Sequence, residues 1–533
     1  MNNTRILILG AGVMQLPALR WAGRQGWYIY AADGNPEAVG ASLAQNFLHI
    51  DISDVEGMIA AAAEIKEKEG LDGVFTAGTD FSYTVARVAE ALDLPGLSPE
   101  VAYRATNKAE MRRVLRDRGV ASPGFRVVRN GAQASEAVGD LRFPLVIKPV
   151  DNMGGRGIRR IDTKQEYDEA VRTARTHSRC GTIIVEEYIP GSEFSIDALV
   201  VENEVHFTGI ADRHIFFPPY FIEMGHTIPT SADKAVLSEI KRTFEAGVHA
   251  IGIDNGAAKG DVKWDGSRAV IGEIAARLSG GYMSGWTYPY SSGVELTGAA
   301  LQQAVGIKPS GLSARRGWVS AERAFISIPG IVESVENTAA ARGIPEIRDI
   351  FIRVASGDRI DFPVNNVEKC GNCIAAAEDR KTAVSAAEEA CRSIFVRLVP
   401  GNEETRGFLL GDSADWIPHA YTLTRTENIT AMEKMPDVLK NSGGDGAGPR
   451  LGVMPLPDLQ RETGEDWHGT PFTRAFRMVL ELSQLKVVEE EDDADIILGA
   501  LFWNVFLKGG IQAGVWITDT IRKTGVESLY TCG

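Results

Sequence analysis

Two acids and an arginine in residues 256–281, GAAKGDVKWDGSRAVIGEIAARLSGG, have the types and spacing to hold a metal ion beside an anion. The segment reads as a strand, a turn at Asp265-Gly266 and a second strand running into a glycine loop. Asp261 lies on the first strand and Glu273 on the second. A loop of odd length, three or five residues, would turn both carboxylates to one face, and pairing Lys263 with Ile271 would make them cross-strand neighbours. Like charges so placed cost a sheet ~0.2–1 kcal/mol unless something cancels them. Mg²⁺ is a natural counter-charge, because it takes one or two carboxylates and fills its shell with water and phosphate oxygens. Arg277 follows, in reach of an anion on that metal. The competing reading is an exposed hairpin with incidental acids.

Other stretches carry matching chemistry. Lys148 stands in Pro144-Leu-Val-Ile-Lys-Pro149, a buried-looking strand where an unpaired charge would be costly. Asp151-Asn-Met-Gly-Gly-Arg-Gly157 follows, and its glycines let backbone N–H groups close around phosphate oxygens. Alone this loop is also a plausible hairpin turn, and it is not a GxxxxGK[ST] loop. Ile183-Ile-Val-Glu-Glu-Tyr-Ile-Pro-Gly-Ser-Glu193 ends an apolar strand in acids and suits a nucleoside. Glu186 would accept from an adenine amino group and Glu193 from ribose hydroxyls, though singly each glutamate reads as a surface residue.

The elements that must position these groups follow from the apolar pattern. Residues 5–100 alternate strands (Arg5–Leu9, Tyr28–Ala32, Gly73–Thr76) with helices (Met14–Gln25, Gly57–Glu69), an α/β pattern with a parallel sheet. Gly10-Ala-Gly12 resembles half of a dinucleotide fingerprint, but Gln15 stands where the third glycine belongs, so a tight strand-to-helix turn is the better reading. A helix at Lys108–Arg118 precedes mixed strands and helices to Gly306, and residues 315–425 form an α+β unit. Ser442–Gly448 reads as a flexible linker, and Glu489–Asp495 as a solvated acidic run.

Bulk composition sets limits. The 533 residues imply several domains, and the net charge of −15 argues against a nucleic-acid surface. Five cysteines make no disulfide framework, and Cys370-Gly-Asn-Cys373, without a second such pair, reads as structural thiols. The apolar run Ile496–Leu507 has 12 residues, too short to span a bilayer, and no leader pattern is visible. The expected compartment is the cytoplasm.

In order, Asn107-Lys108, Val-Ile-Lys148-Pro, the glycine loop, Val-Glu-Glu-Tyr-Ile with Glu193, Asp261 and Glu273-Ile-Ala-Ala-Arg277 resemble the ATP-grasp superfamily over residues 1–425. The resemblance implies an ATP-grasp fold with an N-terminal Rossmann-like pre-ATP-grasp domain, and leaves an additional C-terminal segment. It implies a pre-ATP-grasp α/β domain at 1–105 and an ATP-grasp domain at 106–310 with a lid near 120–190. An α+β subdomain at 311–430, a linker at 431–449 and an accessory segment at 450–533 complete the expected division. Lys108 and Lys148 would hold ATP phosphates, with Gly154, Gly155 and Gly157 in the lid. Glu186, Glu187, Tyr188, Ile189 and Glu193 would hold adenosine. Asp261 and Glu273 would ligate Mg²⁺, or Mn²⁺ in its place, and Arg277 would stabilise the transferred phosphoryl group. Many relatives read Glu-x-Asn-x-Arg, whereas Ala275 stands here and cannot ligate metal. Carboxyaminoimidazole ribonucleotide synthetases are similar in reading Glu-x-Ala-x-Arg.

Pro218-Pro-Tyr-Phe-Ile-Glu-Met-Gly-His226 resembles the loop of carboxylate–amine ligases such as dipeptide synthases and carnosine-synthase-like enzymes, within a superfamily type that is carbamoyl-phosphate-synthase-like or dipeptide-ligase-like. Glu223 would bind an amino group and His226 orient it or accept its proton, against a proline-braced loop with a structural histidine. Ser279-Gly-Gly281 and Tyr282 would line the site for the acid, and Gly78-Thr79-Asp80 would reach the same crevice. The expected activity is ATP-dependent joining of a small carboxylate to an amine, with a homodimer left open and neither nucleic acid nor membrane as partner. The alternatives are a bicarbonate-using carboxylating ligase and a non-catalytic ATP-binding protein.

Overall fold

A computed structural model of the chain describes residues 4–129, 138–411, 416–440, 449–488 and 494–530. The chain divides into two units, Met1–Glu322 with Ala376–Val384, and Arg323–Ala375 with Ser385–Gly533.

The first unit begins with a parallel four-stranded sheet ordered Asn46–His49, Tyr28–Asp33, Arg5–Leu9, Gly73–Thr76. Its inner strands are apolar on both faces because helices cover both sides, as parallel sheets require. At Gly10-Ala-Gly12 the Ala11 N–H donates to the Asp33 carboxylate at 2.8 Å and the Gly12 N–H to the Gln15 side chain at 3.0 Å. The amides that a pyrophosphate would need are therefore engaged by the chain's own side chains, which fits a structural turn.

An antiparallel sheet follows, ordered Ala269–Ala275, Gly256–Trp264, Ser192–Val201, Glu204–Phe216, Ile222–Ile228 and then Val319–Phe325, of which residues to Glu322 belong to this unit. One face is covered by the helix Lys234–Ile251, capped by Asp233 at its start and closed by Gly252 at φ +97°. Ile240, Phe244, Val248 and Ile251 recur at helical spacing and pack on Ile271, Ile274 and Ala258. The helix Lys108–Asp117, capped by Asn107, adds Met111 and Leu115 to the same core. A smaller antiparallel sheet, Phe125–Val128, Ile183–Glu187, Leu145–Pro149, Arg159–Ile161 in that order, is backed by the helix Tyr167–Thr176. Residue Arg380, from the returning segment, bonds Asp212 and the Pro229 carbonyl.

The hairpin that carries the acids differs from the sequence expectation. Trp264 pairs with Ala269, so the loop has four residues rather than three or five, and Lys263 faces Val270 rather than Ile271. A β-bulge between Asp261 and Val262 absorbs one residue at Gly272 and brings Asp261 opposite Glu273. The bulge, not the loop, supplies the parity.

The second unit takes in residues that the sequence reading divides among 311–430, 431–449 and 450–533. The apolar run at 496 splits into a strand, Ile496–Leu498, and a helix, Ala500–Thr524, bent at Gly510 where φ is +63°. Trp503, Phe506 and Trp516 of that helix are buried in one core with Val332, Phe395, Phe408 and Phe472. These large aromatics tie the helix Ala500–Thr524 into the core of this unit. Cys370 and Cys373 are buried in this unit, and burial pushes the Cys370 thiol up to about 12, as a structural thiol should be. The linker Ser442–Gly448 and residues 489–493 of the acidic run lie outside the described residues, while Asp495 pairs with Arg450 at 3.0 Å. Among the described residues no helix is long and apolar enough to cross a membrane.

A close helix–sheet approach gives a test. A Cβ at Gly260 would stand 2.3 Å from the Phe244 ring. Gly260→Ala should destabilise the protein by ~1–3 kcal/mol, read as a lower urea midpoint at unchanged slope.

Candidate active site

Asp261 and Glu273 sit side by side, and cations thread between them. Lys108 lies 3.2 Å from Glu273, and Lys259 contacts Asp261 and stands 3.9 Å from Glu273. Arg213 is 3.1 Å from Asp261, and the Ser195 hydroxyl donates to the same carboxylate at 3.1 Å. Burial alone would raise the Glu273 carboxyl, but Lys108, Lys259 and Arg277 hold it well below the usual range. For Lys108 burial pulls down, and Glu273 and Asp80 more than restore the charge. Lys108 also donates to the Asn152 carbonyl at 2.8 Å, at the entry to the glycine loop.

The donor set fits Mg²⁺ of limited coordination by protein. No group of three or more His, Cys, Asp or Glu is arranged for a metal among the described residues. Ala275, where a further ligand would stand, instead pairs across the strands with Lys259. Two carboxylates suffice for an ion that draws its other ligands from phosphate and water.

A second ion cluster is almost fully buried. Lys148 is 2.7 Å from one Glu186 oxygen, and Arg112 is 2.8 Å from the other. Arg112 also donates to the Gly272 carbonyl at 2.6 Å, which ties this cluster to the bulge. Burial would raise Glu186, but Arg112 and Lys148 keep it below the usual carboxylate range. Lys148 is pushed down by burial, which Glu186 only partly offsets while Arg112 adds repulsion. Glu186, read from sequence as an adenine acceptor, thus has both oxygens on cations. Beyond Lys148, Gly154, Gly155 and Gly157 adopt φ of +70°, +80° and +70°, the left-handed turn region that glycine enters freely.

Strand alternation sends Glu187 to the other face of the smaller sheet, where it accepts the Arg142 N–H at 3.1 Å. The Tyr188 ring is approached by Arg160 at 4.7 Å and Lys263 at 4.6 Å, and stacks on Phe221. Lys263 donates to the Ile189 carbonyl at 2.9 Å and reaches Glu193 at 2.6 Å.

Arg213 joins this end to the predicted acceptor loop, lying 3.5 Å from Glu193 and 2.8 Å from Glu223. His226 is buried, hydrogen-bonded with Thr287 at 2.7 Å and 3.3 Å from Glu322, a setting closer to the structural histidine. Arg277 is held by Asp80 at 2.6 Å. Asp197 accepts from the Ser279 N–H at 3.2 Å and the Ser284 hydroxyl at 2.6 Å, fixing the glycine loop after Arg277. Burial pushes its carboxyl up against those donors and Lys259.

Sequence reasoning passed over Arg112, Asp197, Arg213 and Lys259. Two signals were present: Arg112 lies one helical turn from Lys108, and Lys259 two residues from Asp261 on one strand face.

Three family models match this chain: ATP-grasp domain over residues 141–285, L-amino acid ligase C-terminal domain 2 over 324–399, and ATP-grasp N-terminal domain over 24–96. The uncharacterized protein y4rH of Sinorhizobium fredii is 23% identical over 66% of this chain and 73% of its own length. Carnosine synthase 1 of Gallus gallus is 24% identical over 57% of this chain, and three curated relatives are spanned over 24% to 35% of their own length. The crystal structure of L-amino acid ligase from Bacillus licheniformis has the same fold, with a TM-score of 0.66 at 21% identity over 75% of this chain and 100% of that one.

The buried triad predicts an acid response. Against burial, Arg112 and Lys148 hold the Glu186 carboxyl below the usual carboxylate range, so folding releases its proton more readily; this stability is present above that range and lost as pH falls below it. Arg112→Met should cost about 3 kcal/mol at neutral pH and move the acid-unfolding midpoint upward, measured by circular dichroism across a pH series.

Proposed function

The chain belongs to the ATP-grasp superfamily, and on that premise we propose that it is an ATP-dependent carboxylate–amine ligase. The observation that carries the reading is the register pairing of Asp261 with Glu273, with Lys108 and Arg277 charges acting on the same carboxylate. Lys108, Lys148 and the loop of Gly154, Gly155 and Gly157 would hold the ATP phosphates. Glu193 and the backbone at Tyr188–Ile189 would hold adenosine, with Glu186 positioning Lys148. Asp261 and Glu273 would hold Mg²⁺, which offsets charge on phosphoryl oxygens.

The reaction balances in two steps. A carboxylate oxygen of the acid takes the γ-phosphoryl group, breaking its bond to ADP and forming an acyl phosphate. The ammonium of the acceptor first gives one proton to water; the amine nitrogen then bonds to the acyl carbon, phosphate leaves with the electron pair of the broken C–O bond, and the second proton passes from nitrogen to that phosphate. Arg277 faces the charge that develops in the first step. Glu223 would hold the ammonium form of the acceptor, and His226 would orient that loop through Thr287 and Glu322.

The names of carnosine synthase 1 and of the L-amino acid ligase support this choice within the superfamily. Ala275 favours one rival, a ligase that carboxylates aminoimidazole ribonucleotide with bicarbonate, as N5-carboxyaminoimidazole ribonucleotide synthetase is named to do. ADP release should depend on pairs of amino acids or small carboxylates with amines; release with bicarbonate and aminoimidazole ribonucleotide instead would select the rival. Glu273→Gln and Lys148→Ala should each lower ADP release at least ~10²–10³-fold with the circular dichroism spectrum intact. Near-normal turnover in either variant would sink the assignment.

A further inference from the structure

Behind Arg277 lies a cavity of about 460 Å³ that none of the roles above uses. Its volume is in the ~300–1,000 Å³ range of small-molecule pockets. It runs from Ala276 and Arg277, just past the metal-binding strand, along Ala257 toward the surface at Ile307 and Lys308. Phe75 of the strand Gly73–Thr76 and Val85 of the helix Ser82–Ala91 form one wall, and Ala300 and Ala304 of the helix Leu296–Ala304 another. The lining is mainly aliphatic and small. Its floor is fixed: Gln303 donates to the Val200 carbonyl at 2.7 Å and to Asn255 at 2.9 Å. At the outer end Lys308 and Glu202 pair at 3.1 Å, so the charges of the rim answer each other, and Thr76, Ser82, Asn255 and Gln303 are the uncharged polar groups of an otherwise apolar lining.

We infer that this cavity receives the side chain of the acid substrate, and that the carboxylate donor is therefore a small acid with a bulky apolar body. The inference rests on the ligase reading and sharpens it. The acid must bring its carboxylate to Arg277 and the metal pair, and an apolar chamber begins at that arginine. An aliphatic or aromatic body entering it leaves water without meeting an unpaired charge. A short polar side chain would forfeit that burial.

Two measurements test the site separately from the reaction. First, 4-phenylbutanoate should raise the thermal midpoint of the wild-type protein, and the uncharged 4-phenylbutanol should do so much less. In Ala304→Phe, which fills the chamber, the shift should vanish, and in the milder Ala304→Leu it should shrink; unliganded melting of both checks that they fold. Second, kcat/KM for ADP release with a fixed amine should rise ~10-fold or more from alanine to leucine or phenylalanine as acid. Ala304→Phe should remove that rise, bringing leucine and phenylalanine down to the value for alanine. A flat acid profile with ADP release intact, or a probe that binds the filled variant as well as wild type, overturns the inference and leaves the ligase reading standing. Probe binding that obeys the expected pattern, with no ADP release from any acid and amine, overturns the ligase reading and keeps the site.

Discussion

Two carboxylates held in register on a buried sheet are the constraint around which the first unit is organised. Asp261 and Glu273 repel one another, and no apolar neighbour can relieve that. The chain answers with cations from separate elements: Lys108 from a helix start, Lys259 from the same strand face and Arg213 from the next hairpin. Each is itself buried enough to need its carboxylate. Removing any member would strand a partner, so the network is far less tolerant of change than its exposed counterparts elsewhere in the chain.

The same logic extends outward. Arg112 spans from the Lys148–Glu186 pair to the bulge carbonyl at Gly272, so the cation of the strand Leu145–Pro149 and the geometry of the acidic pair share one guanidinium. Arg213 links Glu193, Asp261 and Glu223, which the sequence reading assigned to ribose, metal and amine. A ligand that arrives at any of these groups changes the charge balance of the others, because each cation is shared.

Much of the fold was legible because apolar periodicity and caps report local structure. The strand Gly73–Thr76, the helix at Lys108 and the acidic hairpin stand where their patterns put them. The parity of that hairpin was not legible, since a bulge depends on tertiary packing and leaves only Gly272 as a trace. Nor was the second unit, whose core is assembled from Phe395, Phe472 and Trp503, residues far apart in sequence. In the site, acids and lysines near motifs could be named, but their partners could not. Glu186 looked like a ligand-facing acid because nothing local reveals Arg112, 74 residues earlier.

The returning segment Ala376–Val384 has a practical implication for anyone cutting the gene. The first unit is discontinuous, and Arg380 of that segment serves Asp212, which also accepts from Thr230 and Ser231. A recombinant fragment stopped after Glu322 would contain every residue assigned to nucleotide and metal, yet lack the arginine that neutralises this turn beside the acceptor loop. Fragment design should therefore graft residues 376–384 back or keep the chain whole. Domain shuffling at 322, inviting on a linear map, would divide a folded piece.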